Sequence, residues 1–101
     1  MSAEYMSESE LETIAQFPLV PDTTSVCHHL LQSIKPYWER YGAFKQTSRN
    51  SYYLATGGWS GNEDIIGALK KNYMFWSLCW YKSQRGGAFW FKIPVIKGGK
   101  K

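Results

Sequence analysis

Hydrophobic residues recur along the chain with two different spacings, and each spacing predicts one class of secondary structure. In the first third they return every three or four positions, which predicts two amphipathic helices, at residues 9–17 and 22–34. Pro18 and Pro36 end these helices, because a proline disfavours the helical conformation of the residue before it. The N-terminal third is therefore expected to be helical.

The segment at residues 52–69 carries the strongest local signal in the chain. Strand-forming residues lead into Gly57-Gly58, and an apolar run with helical spacing follows. Ser60 and Glu63 stand at the start of that run with the spacing of a capping box. The pattern predicts a strand, a glycine turn and a helix that begins at Ser60 and ends at Asn72.

Strand-like segments fill most of the remaining chain, because they alternate in polarity or are rich in aromatic and β-branched residues. They lie at residues 43–46, 51–56, 73–82 and 88–93. A polar turn separates the first two, and residues 83–87, which include two glycines, separate the last two. We therefore expect an α+β fold: a four-stranded antiparallel sheet, made of two hairpins that flank a helix, packed with two N-terminal helices.

The two C-terminal segments are aromatic to a degree that one helical layer does not explain. Both alternating sets of residues 73–82 are apolar or aromatic, and Trp90 and Lys92 share one face of the last strand. Three alternatives remain open for the second face of the sheet. It is buried by the N-terminal helices, it forms a protein interface, or it is an aromatic platform on which nucleic-acid bases stack.

The length of 101 residues allows one domain with one modest core, and 17% of the residues are aromatic. We expect a flexible segment at residues 1–8, a single domain at residues 9–94 and a flexible basic tail at residues 95–101. No apolar run approaches the roughly 20 residues that cross a bilayer. The acidic N-terminus is also unlike a signal peptide. A cytoplasmic protein without membrane contact is therefore expected.

Charge is distributed unevenly along the chain. Residues 1–34 contain five of the eight acidic residues and no Lys or Arg, whereas all twelve Lys and Arg follow residue 34. This asymmetry predicts one of two arrangements. Either an acidic arm lies against a basic body, or the basic region forms a surface for an anionic partner.

The residue types that most often carry catalysis or bind metals form no recognisable set. Cys27 and Cys79 lack metal-type spacing, which favours free thiols over a disulfide. On a helix, the consecutive residues Cys27, His28 and His29 point in different directions and cannot converge on one metal ion, so the histidines are expected at the surface. With only eight acidic residues, few general acids and bases are available. We expect no enzyme, no metal and no cofactor.

Part of the sequence resembles a known group of proteins. The run GGWSGNEDII at residues 57–66, followed by Phe75-Trp76, Trp80 and Arg85-Gly86-Gly87, is similar to small uncharacterised proteins encoded by phages and prophages. The likeness covers residues 52–93. It implies an accessory gene product of the bacterial cytoplasm that acts by binding, as inhibitors of host defence systems do.

These observations predict a small non-enzymatic protein that binds a host or phage protein. The candidate binding residues are Trp59, Lys82, Arg85, Trp90 and Lys92. Trp59 is included because nothing near it in the sequence buries it, and the others lie on or beside the aromatic strands. The alternative is a nucleic-acid-binding module that uses the same basic and aromatic sheet surface. A homodimer is a further open alternative.

Overall fold

The computed structural model describes residues 6–20, 22–38 and 42–95. Most of the predicted flexible ends, residues 1–5 and 96–101, lie outside these ranges. In chain order the elements are α1 (Glu8–Ala15), α2 (Thr23–Ile34), a 3₁₀ turn (Lys35–Tyr37), β1 (Ala43–Ser48), β2 (Ser51–Ala55), α3 (Ser60–Lys71), α4 (Tyr73–Cys79), β3 (Trp80–Gln84) and β4 (Ala88–Lys92).

The strands form one antiparallel sheet in the order β1-β2-β4-β3. β1 and β2 make one hairpin, and β3 and β4 make the other. β2 and β4 occupy the centre, where they pair from Ser51 and Lys92 to Ala55 and Ala88. This confirms the predicted α+β fold with a four-stranded antiparallel sheet built from two hairpins.

The described helices pack on one face of the sheet, which we call the inner face. Its side chains Tyr52, Leu54 and Phe91 are at most 1% exposed. They belong to one hydrophobic cluster with buried residues of all four helices. Because side chains alternate along a strand, Tyr53 and Trp90 lie on the opposite face, and neither belongs to this cluster.

The prediction of a strand at residues 73–82 is wrong for residues 73–79, which form α4. The side-chain Oδ1 of Asn72 accepts the Phe75 backbone N–H at 3.1 Å and caps the first turn of the helix. Phe75 and Cys79, four residues apart, then share one helical face and are buried. A run that is apolar in both alternating sets fits a buried strand or a helix equally well, so periodicity alone does not decide between them.

Asn72 also holds the ends of three helices together. It is the C-cap residue of α3 and the N-cap residue of α4. Its Nδ2 donates to the carbonyls of Ile14, in α1, and of Phe17, just after α1, both at 3.0 Å. With only 5% of its surface exposed, Asn72 is the polar centre of the helical layer.

The capping box predicted at Ser60 and Glu63 is wrong. Trp59 is the N-cap residue of α3, and no side-chain hydrogen bond caps this helix. A capping box of the same spacing lies instead at the start of α1. There the Ser7 Oγ accepts the Glu10 N–H at 3.2 Å, and the Glu10 Oε1 accepts the Ser7 N–H at 2.8 Å. The capped helix begins inside the segment predicted to be flexible.

Glu10 also connects α1 to the 3₁₀ turn, because its Oε2 accepts the Tyr37 hydroxyl at 2.9 Å. Hydrogen bonds from the Ser7 N–H and the Tyr37 hydroxyl favour the ionised carboxylate and lower the pKa of Glu10 below its ordinary value. A lowered folded-state pKa stabilises the fold above the carboxyl group's ordinary pKa. That contribution disappears as the pH falls through the lowered value.

We expect Glu10→Gln to weaken the dependence of stability on pH in the acid range. At neutral pH the variant should melt below the parent protein, and the difference should shrink below about pH 4, where carboxylates protonate. Melting temperatures from circular dichroism between neutral and acid pH measure this. Glu8→Gln is the control, because it removes the same charge from the same helical turn without touching Tyr37. Equal pH slopes for all three proteins would contradict the prediction.

Cys27 of α2 and Cys79 of α4 meet in the core although they are 52 positions apart in the sequence. The Cys79 thiol donates to the Cys27 Sγ at 3.4 Å, and both are free thiols, which confirms the prediction. The hydrogen bond to Cys27 raises the pKa of Cys79, and burial adds to the increase. This contact places α4 directly against α2.

Candidate functional site

A row of side chains crosses all four strands on the face of the sheet opposite the helices. Lys45 of β1 pairs with Tyr53 of β2, Tyr53 pairs with Trp90 of β4, and Trp90 pairs with Lys82 of β3. Neighbouring strands are about 4.8 Å apart, so these residues form a line about 14 Å long. We call it the central row. It has a lysine at each end and two aromatic rings in the middle.

Two further side chains lie beside the central row. Lys92 is two residues from Trp90 in β4 and therefore points to the same side. Tyr81 joins them because the pairing of β3 shifts between Trp80 and Lys82, as it does at a β-bulge. The Lys92 Nζ lies 4.2 Å from the centroid of the Tyr81 ring. We call the surface made by these six residues the open face: Lys45, Tyr53, Tyr81, Lys82, Trp90 and Lys92.

The aromatic rings of the central row contact each other and a lysine. The centroids of the Tyr53 and Trp90 rings are 4.9 Å apart, and the ring planes are inclined by 45°. The Lys82 Nζ lies 4.6 Å from the centroid of the Trp90 ring, which is a cation–π distance. Both rings are half-buried, so their neighbours hold them in place while part of each ring stays accessible.

No acidic side chain opposes the lysines within the sheet. β1 to β4 contain three lysines and no Asp or Glu. Arg49 and Arg85 lie in the two hairpin turns, at opposite ends of the sheet. Glu63 and Asp64 are exposed near the start of α3, which packs on the inner face. The open face therefore carries an excess of positive charge.

The helical side carries the opposite charge. A groove of about 440 Å³ runs between α1 and α3, and four carboxylates line it together with Lys71. They belong to Glu8, Glu12, Glu63 and Asp64. The described part of the acidic N-terminal arm thus packs against α3 and leaves the basic strands uncovered. This favours the second arrangement predicted from the charge pattern, a basic surface for an anionic partner.

The structure brings together three of the five predicted binding residues. Lys82, Trp90 and Lys92 share the open face. Trp59 lies outside it, half-buried at the start of α3, and Arg85 is exposed in the turn between β3 and β4. Arg85 is therefore at the border of the open face, and Trp59 belongs to the junction between the sheet and α3.

Lys45, Tyr53 and Tyr81 complete the open face and are absent from the predicted set. The polar turn between the first two strands places residue 45 opposite residue 53, so the hairpin register is a signal that could identify this pair. The position of Tyr81 depends on the shift in pairing beside Trp80. Neither a glycine nor a proline marks that shift in the sequence.

His28 is tied into the structure and is not a free surface residue, which corrects the prediction. Its Nδ1 lies 2.8 Å from the Tyr52 hydroxyl, and its Nε2 lies 3.0 Å from the Asn50 Oδ1. The Gln32 side-chain amide donates to the Tyr52 hydroxyl oxygen at 3.1 Å. The Tyr52 hydroxyl then donates to the His28 Nδ1, and the His28 Nε2–H donates to the Asn50 Oδ1. This network fixes α2 on the inner face of the sheet.

A second exposed surface lies on α4 and the start of β3. Tyr73, Met74 and Leu78 are 83%, 53% and 42% exposed. Trp80 is 42% exposed and stacks on Trp76, with ring centroids 6.2 Å apart and an interplanar angle of 14°. No charged residue occurs at residues 73–81. We call this apolar patch the α4 surface; patches of this kind mark sites of protein contact.

The part of the chain that the structure describes holds no group of three His, Cys, Asp or Glu side chains close enough to bind a metal ion. Within the same ranges, no helix is both long and apolar enough to cross a bilayer. No protein-family model matches the chain, and no curated protein or solved structure is significantly similar to it. The open face and the α4 surface are therefore the features from which a function can be inferred.

Proposed function

We propose that the protein is a non-enzymatic binding protein and that its open face binds nucleic acid. The observation that carries this proposal is the central row, in which Lys45 and Lys82 flank the rings of Tyr53 and Trp90. Proteins that bind nucleic acid without reading sequence combine a positively charged surface with aromatic side chains. The open face supplies both within one sheet.

The charges around the central row support a polyanionic partner. Its lysines have no acidic neighbours in the strands, so they repel one another in the free protein. A phosphate backbone relieves this repulsion and releases its own counterions when it binds. The carboxylates of α1 and α3 lie on the helical side, where they do not oppose the approach of nucleic acid to the open face.

We expect the double variant Lys82→Gln, Lys92→Gln to bind a single-stranded oligonucleotide more weakly than the parent protein, on the order of tenfold at low salt. The slope of log K against log salt should decrease in magnitude by about 1.4, because each lost phosphate contact of a single strand contributes about 0.7. Fluorescence anisotropy of a labelled strand about eight nucleotides long, a typical site size, measures both quantities.

The double variant Lys70→Gln, Lys71→Gln is the matched control, since it removes the same two charges from the last turn of α3, on the helical side. It should leave both affinity and salt slope unchanged. An equal loss of affinity in Lys70→Gln, Lys71→Gln would mean that net charge alone drives binding, and the proposed role of the open face would be wrong. Absence of oligonucleotide binding by the parent protein at low salt would overturn nucleic-acid binding itself.

The α4 surface favours a second candidate function, the binding of a protein. Tyr73, Met74 and Leu78 present an uncharged apolar patch, and aromatic anchors of this kind carry much of the energy of protein interfaces. A host or phage protein is the partner implied by the resemblance to phage accessory proteins, and inhibition of a host defence system is the role that goes with it. The oligonucleotide titration separates the two candidates, because residues 73–81 contain no charged residue and the lysines of the strands lie on the open face.

A further inference from the structure

We infer that the open face selects single-stranded nucleic acid, because neighbouring bases stack on Tyr53 and Trp90 while the lysines of the central row contact the flanking phosphates. This inference rests on the proposed nucleic-acid binding and adds the strandedness of the ligand and the residues that recognise it. Three observations carry it: the accessibility of the rings, the distance between them and the position of Lys82.

The two rings are available to a ligand. Tyr53 and Trp90 are half-buried and lie outside the cluster of core residues. The inner face of the same strands is already filled by Tyr52, Leu54 and Phe91. The sheet therefore does not need Tyr53 and Trp90 to form its core, and the exposed parts of their rings remain for an external aromatic partner.

The two rings form one continuous aromatic surface. Their centroids are 4.9 Å apart, the separation of an interacting aromatic pair, and this surface accepts only bases whose faces are free. In a duplex each base is covered on both sides by its neighbours and cannot place a face on either ring. Bases in a single strand separate freely, so one base can lie on each ring. Aromatic contacts on the open face therefore increase the affinity for a single strand but not for a duplex.

Lys82 in the free protein lies where a base would bind, since its Nζ is 4.6 Å from the centroid of the Trp90 ring. An exposed cation–π contact is weaker than the stacking of a base on an aromatic ring, so a base displaces the ammonium group. The released lysine remains at the end of the central row and reaches the adjacent phosphate. With Lys45 at the other end, the row holds a segment of roughly four nucleotides, the lower end of known site sizes.

The test compares three ligands of equal length with the full-length protein: a single strand of thymidines, the same strand without bases, and a duplex. At one salt concentration, the thymidine strand should bind about tenfold or more tightly than the abasic strand, because stacking of one base is worth about fivefold or more and the central row stacks two. The abasic strand carries the same phosphates, so the difference isolates the contribution of the bases.

Two variants assign that difference to the central row. The double variant Tyr53→Leu, Trp90→Leu keeps two apolar side chains but removes both aromatic rings, and it should reduce the preference for the thymidine strand to near unity. Trp90→Phe keeps a ring and should retain most of the preference. Circular dichroism checks that both variants are folded.

The outcomes separate the inference from the proposed function. If the abasic strand or the duplex binds at least as tightly as the thymidine strand, nucleic-acid binding stands and the stacking inference is overturned. A preference that persists in the double variant Tyr53→Leu, Trp90→Leu also overturns it, because another part of the protein then recognises the bases. If none of the three ligands binds, the proposed function fails and the inference fails with it.

Discussion

Asn72→Ala should destabilise the folded protein by about 2–4 kcal/mol, the largest effect that we expect from a single polar substitution. Two losses add to this value. Removing the Oδ1 that caps α4 costs about 1 kcal/mol. Removing the amide also takes the Nδ2 donor away from the carbonyls of Ile14 and Phe17, at about 1 kcal/mol each. Urea denaturation followed by circular dichroism measures the change.

Asn72→Ser separates the two contributions. A serine hydroxyl can still accept the Phe75 N–H as an N-cap but cannot supply both donors to the carbonyls, so it should recover about 1 kcal/mol of the loss. The recovery would show that the cap of α4 matters independently of the link to α1. If Asn72→Ala costs no more than the roughly 0.5 kcal/mol of an ordinary surface substitution, the junction is not a source of stability.

Gly87→Ala should destabilise the protein by about 2–3 kcal/mol, through backbone strain and a steric clash together. Gly87 has a φ of 86°, a left-handed conformation that costs a residue with a β-carbon roughly 1–2 kcal/mol. A β-carbon at this position would also collide with the Thr56 Oγ1. Thr56 is 2% exposed and donates its N–H to the Gly87 carbonyl at 3.0 Å, so it cannot move away easily.

Gly86 provides a matched control for this substitution. Its φ of 93° is equally unfavourable for alanine, but a β-carbon there meets no atom within 4 Å. Gly86→Ala should therefore show the backbone strain alone, and its cost should be about 1 kcal/mol below that of Gly87→Ala. Equal destabilisation of the two variants, measured by urea denaturation, would show that the clash with Thr56 is relieved without cost.

The fold class could be predicted because hydrophobic spacing follows directly from which side of an element faces the core. The helical conformation of α4 could not be predicted, since the apolar run after Asn72 is compatible with both a strand and a helix. What decides between them is a tertiary arrangement: a strand would place Ser77 on the same face as Phe75 and Cys79, whereas the helix buries those two residues and leaves Ser77 exposed. Asn72 offers the local signal, because a residue that ends one helix can also cap the next.

The candidate site could be predicted only in part for a related reason. Alternation along one strand places Trp90 and Lys92 on the same face, and the structure agrees. The pairing of Tyr53 with Trp90 joins β2 and β4, which are not consecutive in the chain, so no local pattern specifies it. Trp59 is among the predicted binding residues because it has no apolar neighbours in the sequence. It is nevertheless half-buried, because the sheet meets α3 at this point.

The acidic residues of the helical layer and the lysines of the strands lie on opposite sides of the sheet, so the described part of the domain is electrically asymmetric across the sheet. All six acidic residues within the described ranges belong to α1, α3 and the N-cap of α2. In the field of an extended polyanion such a molecule experiences a torque and rotates before contact, so that the strands lead and the helices trail. Most encounters then begin in the productive orientation, which raises the association rate at low ionic strength and leaves the dissociation rate to the short-range contacts.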